Sequence, residues 1–310
     1  MSRRLATVAC VAAVGGAAVV GLSAATASAD PGCPDVHWIG AAGSGERTGA
    51  DLTTYNGMGR VVNESLYDLS SQLQHDGRTM TAEAVDYPAV PVPDDNGGVG
   101  AWLGFMGSVD TGAKALGEQY ATFVAQCPTS KVVLAGYSQG AMVVHRNLAA
   151  LAASPNLAAV LLIADGDRRP DDPTLNLGTA SGIPKHGKGV AQDWPILAHA
   201  PAPLTPDIAA RTISVCNLND AVCDYDDAAD DSKAAYARRV AVHTSYGVGA
   251  QSLDWTAPLY FILGSAPTAH QVPESDPLAI NSTTAPAGSS SAANTTTMAS
   301  MAPAGDIPTR

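Results

Sequence analysis

KVVLAGYSQGAMVVHRNLAALAA, residues 131–153, reads as two elements joined by one sharp turn. Val132, Val133, Leu134 and Ala135 form a short apolar run with the look of a buried strand, and from Gln139 onward the apolar residues recur with helical spacing. Between them Gly136-Tyr137-Ser138-Gln139-Gly140 fits G-x-S-x-G, the pattern in which a serine occupies a strained strand-to-helix turn. The glycines have a steric reason, because side chains at either flanking position would collide with neighbouring backbone. Such a turn lifts the hydroxyl clear of the sheet, and the first amides of the following helix face the place where an oxyanion would form. Ser138 is therefore the candidate nucleophile, and the Gln139 amide a candidate oxyanion donor.

Working outward, strand and helix patterns alternate. Residues 35–43 read as a strand running into a glycine-rich turn. Val62, Leu66, Leu69 and Leu73 recur at helical spacing until Asp76-Gly77 breaks the pattern. Residues 79–89 read as a strand ended near Pro88. Val109, Ala113, Leu116, Tyr120 and Phe123 form one helical face that stops at Cys127-Pro128. Residues 157–165 and 210–217 read as further strands, and 232–240 and 250–263 as late helices. This order predicts an α/β fold: a three-layer sandwich with a central, mostly parallel sheet and helices on both faces. Residues 166–210 break the rhythm, because so long a connection is uncommon unless it has a role or is disordered. It reads either as a surface excursion with a small helix or as a lid using Trp194, Pro195, Ile196 and Leu197.

The two ends look different. Arg3 and Arg4, an apolar run to about Leu22 and the Ala27-Ser28-Ala29 ending read as a secretory signal peptide cleaved near Ala29. A retained anchor is the competing reading, since the run approaches spanning length. From Ser265 the chain is mostly Ala, Ser, Thr, Pro and Gly and reads as a disordered tail, leaving 30–264 as one domain. The formal charge of −12, or −14 without Arg3 and Arg4, argues against nucleic acid or an anionic membrane surface as partner. No later stretch reads as a membrane span, so a monomer without stable membrane insertion, secreted to the medium or cell wall, is expected.

Outside the leader the cysteines are Cys33, Cys127, Cys216 and Cys223, an even set that suits an oxidising compartment. Four cysteines allow three pairings; the seven-residue offset suggests Cys216 with Cys223, leaving Cys33 with Cys127. The spacings lack a C-x-x-C pair, so no metal is expected.

A serine hydroxyl needs a base. His145 lies two turns into the helix after the serine and should point away from it. His186 and His199 precede any acid in the expected order Ser, Asp or Glu, then His, and His270 is in the tail. His243, in VAVHTSYG, is the base by elimination. Aspartates are plentiful over 220–231. Asp220 is favoured because it sits within the Cys216 to Cys223 loop just past a strand end; Asp224, Asp226 and Asp227 read as solvated helix-start charges.

GYSQG, CNLNDAVC and the later HTSY together resemble the cutinase family of secreted serine esterases, over about residues 33–263. In that family the acid lies between two bridged cysteines in a C-N-x-x-D-x-x-C pattern. The resemblance implies an α/β-hydrolase fold with Ser138 as nucleophile, Asp220 as acid, His243 as base and the same two disulfides. It also implies a second oxyanion donor, Ser44, in the loop after the first strand. Many members carry Arg-Gly before that residue, whereas this chain has Ala42-Gly43; Glu46, which follows, is expected to brace the loop. The implied activity is hydrolysis of carboxylic esters at an interface, without cofactor: cutin-like polyester, short or medium acyl esters, or envelope lipids. A phospholipase or thioesterase, an acyltransferase on the same three residues, and a non-catalytic lipid or cell-wall binding module are the other readings.

Overall fold

The computed structural model describes residues 32–93, 98–193, 201–230, 232–248 and 253–264. The signal-peptide and tail readings, the lid residues Trp194, Pro195, Ile196 and Leu197, and His199 and His270 lie outside them. In chain order the elements are β1 (Val36–Ala41), α1 (Asp51–Thr54), α2 (Arg60–His75), β2 (Met80–Ala84), α3 (Gly98–Gln126), β3 (Lys131–Tyr137), α4 (Gln139–Leu151), β4 (Leu157–Ile163), β5 (Leu175–Leu177), a 3₁₀ turn (Val190–Gln192), α5 (Pro206–Ala209), β6 (Thr212–Val215), α6 (Lys233–His243) and α7 (Thr256–Leu263).

The six strands make one sheet in the order β2-β1-β3-β4-β6-β5, and every neighbouring pair is parallel. Parallel strands need crossovers, and here the crossovers cover both faces. Alternate strand residues divide accordingly. Ile39, Val132, Leu134, Val160 and Leu162 pack with Phe105, Val109, Leu116 and Tyr120 of α3 and with Val143, Val144 and Leu148 of α4. Trp38, Val133, Ala135, Leu161 and Ile213 face the other way, against Val62, Leu66, Leu69 and Leu73 of α2 and Leu259 of α7. The expected three-layer sandwich is therefore present, with a sheet parallel throughout.

Several boundaries differ from the sequence expectation. β2 is five residues long. β4 ends two residues early because Ala164 adopts a left-handed backbone, φ 52°. α3 begins at Gly98, across a glycine-rich start that showed no apolar face. The long connection is not just a surface excursion. Leu175–Leu177 pairs with β6 in the register Leu175 to Ile213 and Leu177 to Val215, adding the edge strand β5. Three residues are too few for a period to be read.

β1 and β3 are sequence-distant neighbours at the centre of the sheet, and the chain leaves β1 toward β2 on one side and enters β3 from α3 on the other face. This is the topological switch point, where the carboxyl ends of strands open a crevice. Ser44 follows β1 there and Ser138 follows β3. The two disulfides pair Cys33 with Cys127 and Cys216 with Cys223, as the spacing suggested. No helix among the described residues is long and apolar enough to cross a membrane.

The turn between β3 and α4 tolerates no added carbon. A Cβ on Gly136 would meet the Gly140 carbonyl and the Ala141 nitrogen, and one on Gly140 would meet the Ala41 and Ala42 carbonyls, all of them backbone. Gly136→Ala should therefore lower the urea-unfolding free energy by about 1–3 kcal/mol. A loss below about 0.5 kcal/mol, the range of an ordinary surface substitution, would contradict this packing.

Candidate active site

Ser138 sits at φ 53° and ψ −118°, a conformation few non-glycine residues adopt. Its amide donates to the Ile163 carbonyl at 2.9 Å, so β4 pins the turn from outside the helix. Its side chain meets His243, whose Nε2 lies 2.9 Å from Ser138 Oγ. On the other side of the ring, His243 Nδ1 is 2.9 Å from Asp220 Oδ1 and 3.0 Å from Oδ2. The structure thus brings Ser138, His243 and Asp220, named from three separate segments, into one hydrogen-bonded line.

Each member is held by local chemistry. His243 is the last residue of α6, so the end of that helix places its ring. Tyr137 donates its hydroxyl to the His243 carbonyl at 2.6 Å, and its ring stacks on the imidazole at 5.2 Å between centroids. Asp220 lies in the tight loop closed by Cys216 and Cys223, where its Oδ1 accepts from the amides of Val222 at 2.7 Å and Cys223 at 3.0 Å. The side chain is fully buried. Burial pushes the carboxyl pKa up, but the facing His243 and the two amides outweigh it and hold it below the usual aspartate value. Asp220 is thus held as a carboxylate facing His243.

The candidate oxyanion side is built from two loops. Gln139 opens α4, and its backbone amide is among the first of the helix, which have no intrahelical acceptor. The Gln139 side chain is occupied elsewhere, accepting from Ser108 Oγ at 3.2 Å and donating to the Val90 carbonyl at 3.4 Å. Ser44 Oγ is buried without a hydrogen-bond partner among the described residues. Its loop is supported without the family's arginine. Glu46 Oε2 accepts from the Gly43 amide at 2.7 Å, its Oε1 from the Arg60 amide at 3.4 Å, and Gly45 donates to the Ala89 carbonyl at 2.7 Å. Tyr87 donates to the Ala42 carbonyl beneath it. Glu46 therefore braces the loop as expected.

Two of the other histidines weighed as base, His145 and His186, are committed elsewhere. His145 Nδ1 meets Asp165 Oδ2 at 2.6 Å, away from the serine. His186 meets Asp224 at 3.1 Å. One expectation fails here: Asp224 is not a solvated helix-start charge. It is 5% exposed and accepts from the amides of Gly187 at 2.5 Å and Asn219 at 2.6 Å. The chain folds it inward to tie the long connection to the Asp220 loop, a role a string of aspartates does not display. Asp226 and Asp227 are exposed. The sequence reading also gave no role to Tyr137 or Tyr246, although both lie inside the quoted motifs. Among the described residues no group of three or more His, Cys, Asp or Glu side chains is placed to hold a metal ion.

The family profile described as Cutinase matches residues 32–256. The chain belongs to the cutinase family. It is 33% identical over 129 residues to Cutinase 4 of Emericella nidulans, an alignment covering 42% of this chain and 48% of that protein. With Phospholipase Culp4 of Mycobacterium tuberculosis it shares 29% identity over 223 residues, covering 72% of this chain and 80% of that protein. Among solved structures, a cutinase-like protein from Cryptococcus sp. is 20% identical, with a TM-score of 0.48, covering 77% of this chain and 100% of the other. The chain thus spans about half the length of the first of these curated relatives.

The His145 to Asp165 pair gives a pH signature independent of the site. Burial pushes His145 down, but the charges of Asp165, Asp167 and Asp172 outweigh it, so its folded pKa lies above the ordinary histidine value. A raised folded pKa means the pair's stabilisation is complete below about pH 6.5 and is lost as pH rises through the folded value. The stability gap between wild type and His145→Gln, measured by urea unfolding, should shrink as pH rises from about 6.5. A gap constant to pH 9 would show that His145 is not held as an imidazolium.

Proposed function

We propose that this cutinase-family protein is a secreted serine esterase that hydrolyses carboxylic esters through an acyl-enzyme on Ser138. Its substrates are cutin-like polyester and short- to medium-chain acyl lipid esters. The observation that carries this reading is the unbroken line from Ser138 Oγ through the two nitrogens of His243 to Asp220, at 2.9 Å on each side of the ring. That arrangement has what acyl transfer requires. His243 Nε2 accepts the Ser138 proton as Oγ attacks the ester carbonyl carbon. Nδ1–H donates to Asp220, which fixes the tautomer and stabilises the imidazolium. The carbonyl oxygen, now negative, is held by the Gln139 amide and Ser44 Oγ. Collapse of the tetrahedral species breaks the ester C–O bond, and His243 returns its proton to the departing alcohol. Water, deprotonated by the same nitrogen, then attacks the acyl-enzyme and releases the acid with Ser138 restored.

Export is supported by the basic and apolar leader and by two disulfides, which suit an oxidising compartment. The net charge of −12 favours a neutral ester or lipid interface over nucleic acid as the partner, approached by a monomer. The names of the relatives widen the substrate range. The alignment with a phospholipase spans more of this chain than that with a cutinase, and it favours acyl esters of phospholipids as the second reading.

The test is hydrolysis of p-nitrophenyl esters from acetyl to palmitoyl by the full chain, with a phospholipid as the parallel substrate. Ser138→Ala should lower turnover by up to about 10⁶-fold while remaining folded. A Ser138→Ala protein that still releases nitrophenol at the wild-type rate would remove Ser138 from the chemistry, and a folded wild type silent on every ester would leave the binding-module reading. Ser44→Ala should lower kcat by about 10²-fold with little change in KM, the effect of losing one oxyanion donor. An unchanged kcat would make Ser44 a turn residue only.

A further inference from the structure

Asp220 is held unevenly. Its Oδ1 takes the amides of Val222 and Cys223 as well as His243, whereas among the described residues Oδ2 has the far end of the His243 contact and one further side chain, Tyr246. The Tyr246 hydroxyl donates to Oδ2 at 2.8 Å and accepts from the Asn217 amide at 2.9 Å. The phenol is fully buried and lies three residues beyond His243, so one short segment carries both the base and a clamp on the acid. The tyrosine is itself held. Arg60 Nη2 of α2 donates to its carbonyl at 2.7 Å, and the Tyr137 ring of β3 meets its ring edge-on at 6.1 Å.

Resting on the esterase reading, we propose that Tyr246 is a positioning residue for the reaction. Its hydroxyl fixes the plane of the Asp220 carboxylate against His243 Nδ1 and withdraws charge from Oδ2. The first effect keeps Nε2 aimed at Ser138. The second weakens the pull of Asp220 on the imidazolium that forms as Ser138 gives up its proton. The charged and titratable groups around the phenol are Asp220 beyond β6, His243 of α6, Tyr137 of β3, Arg60 of α2 and Arg168 after β4. Burial and the neighbouring carboxylate push the Tyr246 pKa well above the ordinary tyrosine value, so the hydroxyl is a donor throughout the working range.

The experiment compares wild type and Tyr246→Phe, both as the full chain, on p-nitrophenyl butyrate across pH 5–9. A lost clamp should lower kcat about tenfold, less than the roughly hundredfold penalty of an ångström-scale misplacement. KM should remain within about twofold, since no substrate contact is removed. The acid limb of kcat/KM should move up by about half a pH unit, because a less neutralised Asp220 makes His243 more basic. A merely structural tyrosine would lower the thermal midpoint without moving that limb. If Tyr246→Phe does not fold, 3-fluorotyrosine at position 246 keeps the shape and strengthens the donor, and the limb should move down. An active wild type whose pH profile is unmoved by either change overturns this assignment alone. A wild type silent on every ester overturns the esterase reading and this assignment with it.

Discussion

The backbone of Ser138 stands at φ 53° and ψ −118°, outside the regions that L-residues ordinarily occupy. A residue held in such a conformation costs about 1–3 kcal/mol and persists only where its surroundings leave no alternative. Here they leave none. β3 is hydrogen-bonded to β1 on one side and β4 on the other, and Ser138 donates to Ile163 at the very end of β4. On the other flank α4 begins at once and packs back onto the sheet, so the chain must reverse within a single residue. Gly136 and Gly140 make the reversal sterically possible. The proposed nucleophile is exposed to its base because the sheet, not the serine, sets its direction.

The same sheet explains how its partners arrive from distant sequence. His243 lies 105 residues after Ser138 and Asp220 lies between them, yet each stands at the carboxyl edge of the sheet or just beyond it. The proposed acid comes from the turn after β6, two strands from β3. Its loop is closed by a disulfide seven residues long, which removes freedom that would let the carboxylate drift. The proposed base comes from the end of a helix with little buried surface of its own; of α6 only Ala235 is buried. Such a helix needs other anchors near its functional end, and Tyr137 supplies one through the His243 carbonyl. Tyr246 supplies another through Asp220 and Asn217.

Burial of so many ionisable groups is otherwise unfavourable, and the chain answers it with pairing. Asp220 faces His243, Asp165 faces His145, and Asp167 meets Arg146 at 3.0 Å. Arg168 reaches Ser214 and Asn176, which joins the long connection to strand β6. The segment after β4 is therefore part of the interior and not a loose excursion. Its ties run through Asp224 to the loop that holds Asp220, so changes in this connection have a physical route to the candidate site.

The turn at Ser138, the alternation of strand and helix, the two disulfide partners and the histidine that meets Ser138 were legible from residue types and spacing. Each is a local signal: glycines where a Cβ cannot fit, apolar periodicity, cysteines seven apart, a histidine left after the others are placed. β5 was not legible, because three residues carry no period and pair only once β6 is in place. Asp224 read as solvent-facing, because charge alone does not say which way a side chain turns. Tyr246 and Tyr137 were visible as letters but not as roles, since their hydrogen bonds join segments that only the folded sheet brings together. The sequence by itself determined which chemistry the chain can attempt, since residue type and local sterics are properties of short stretches. The tertiary structure alone decided which oxygens and nitrogens meet, because distances across 105 residues follow from how strands and helices pack.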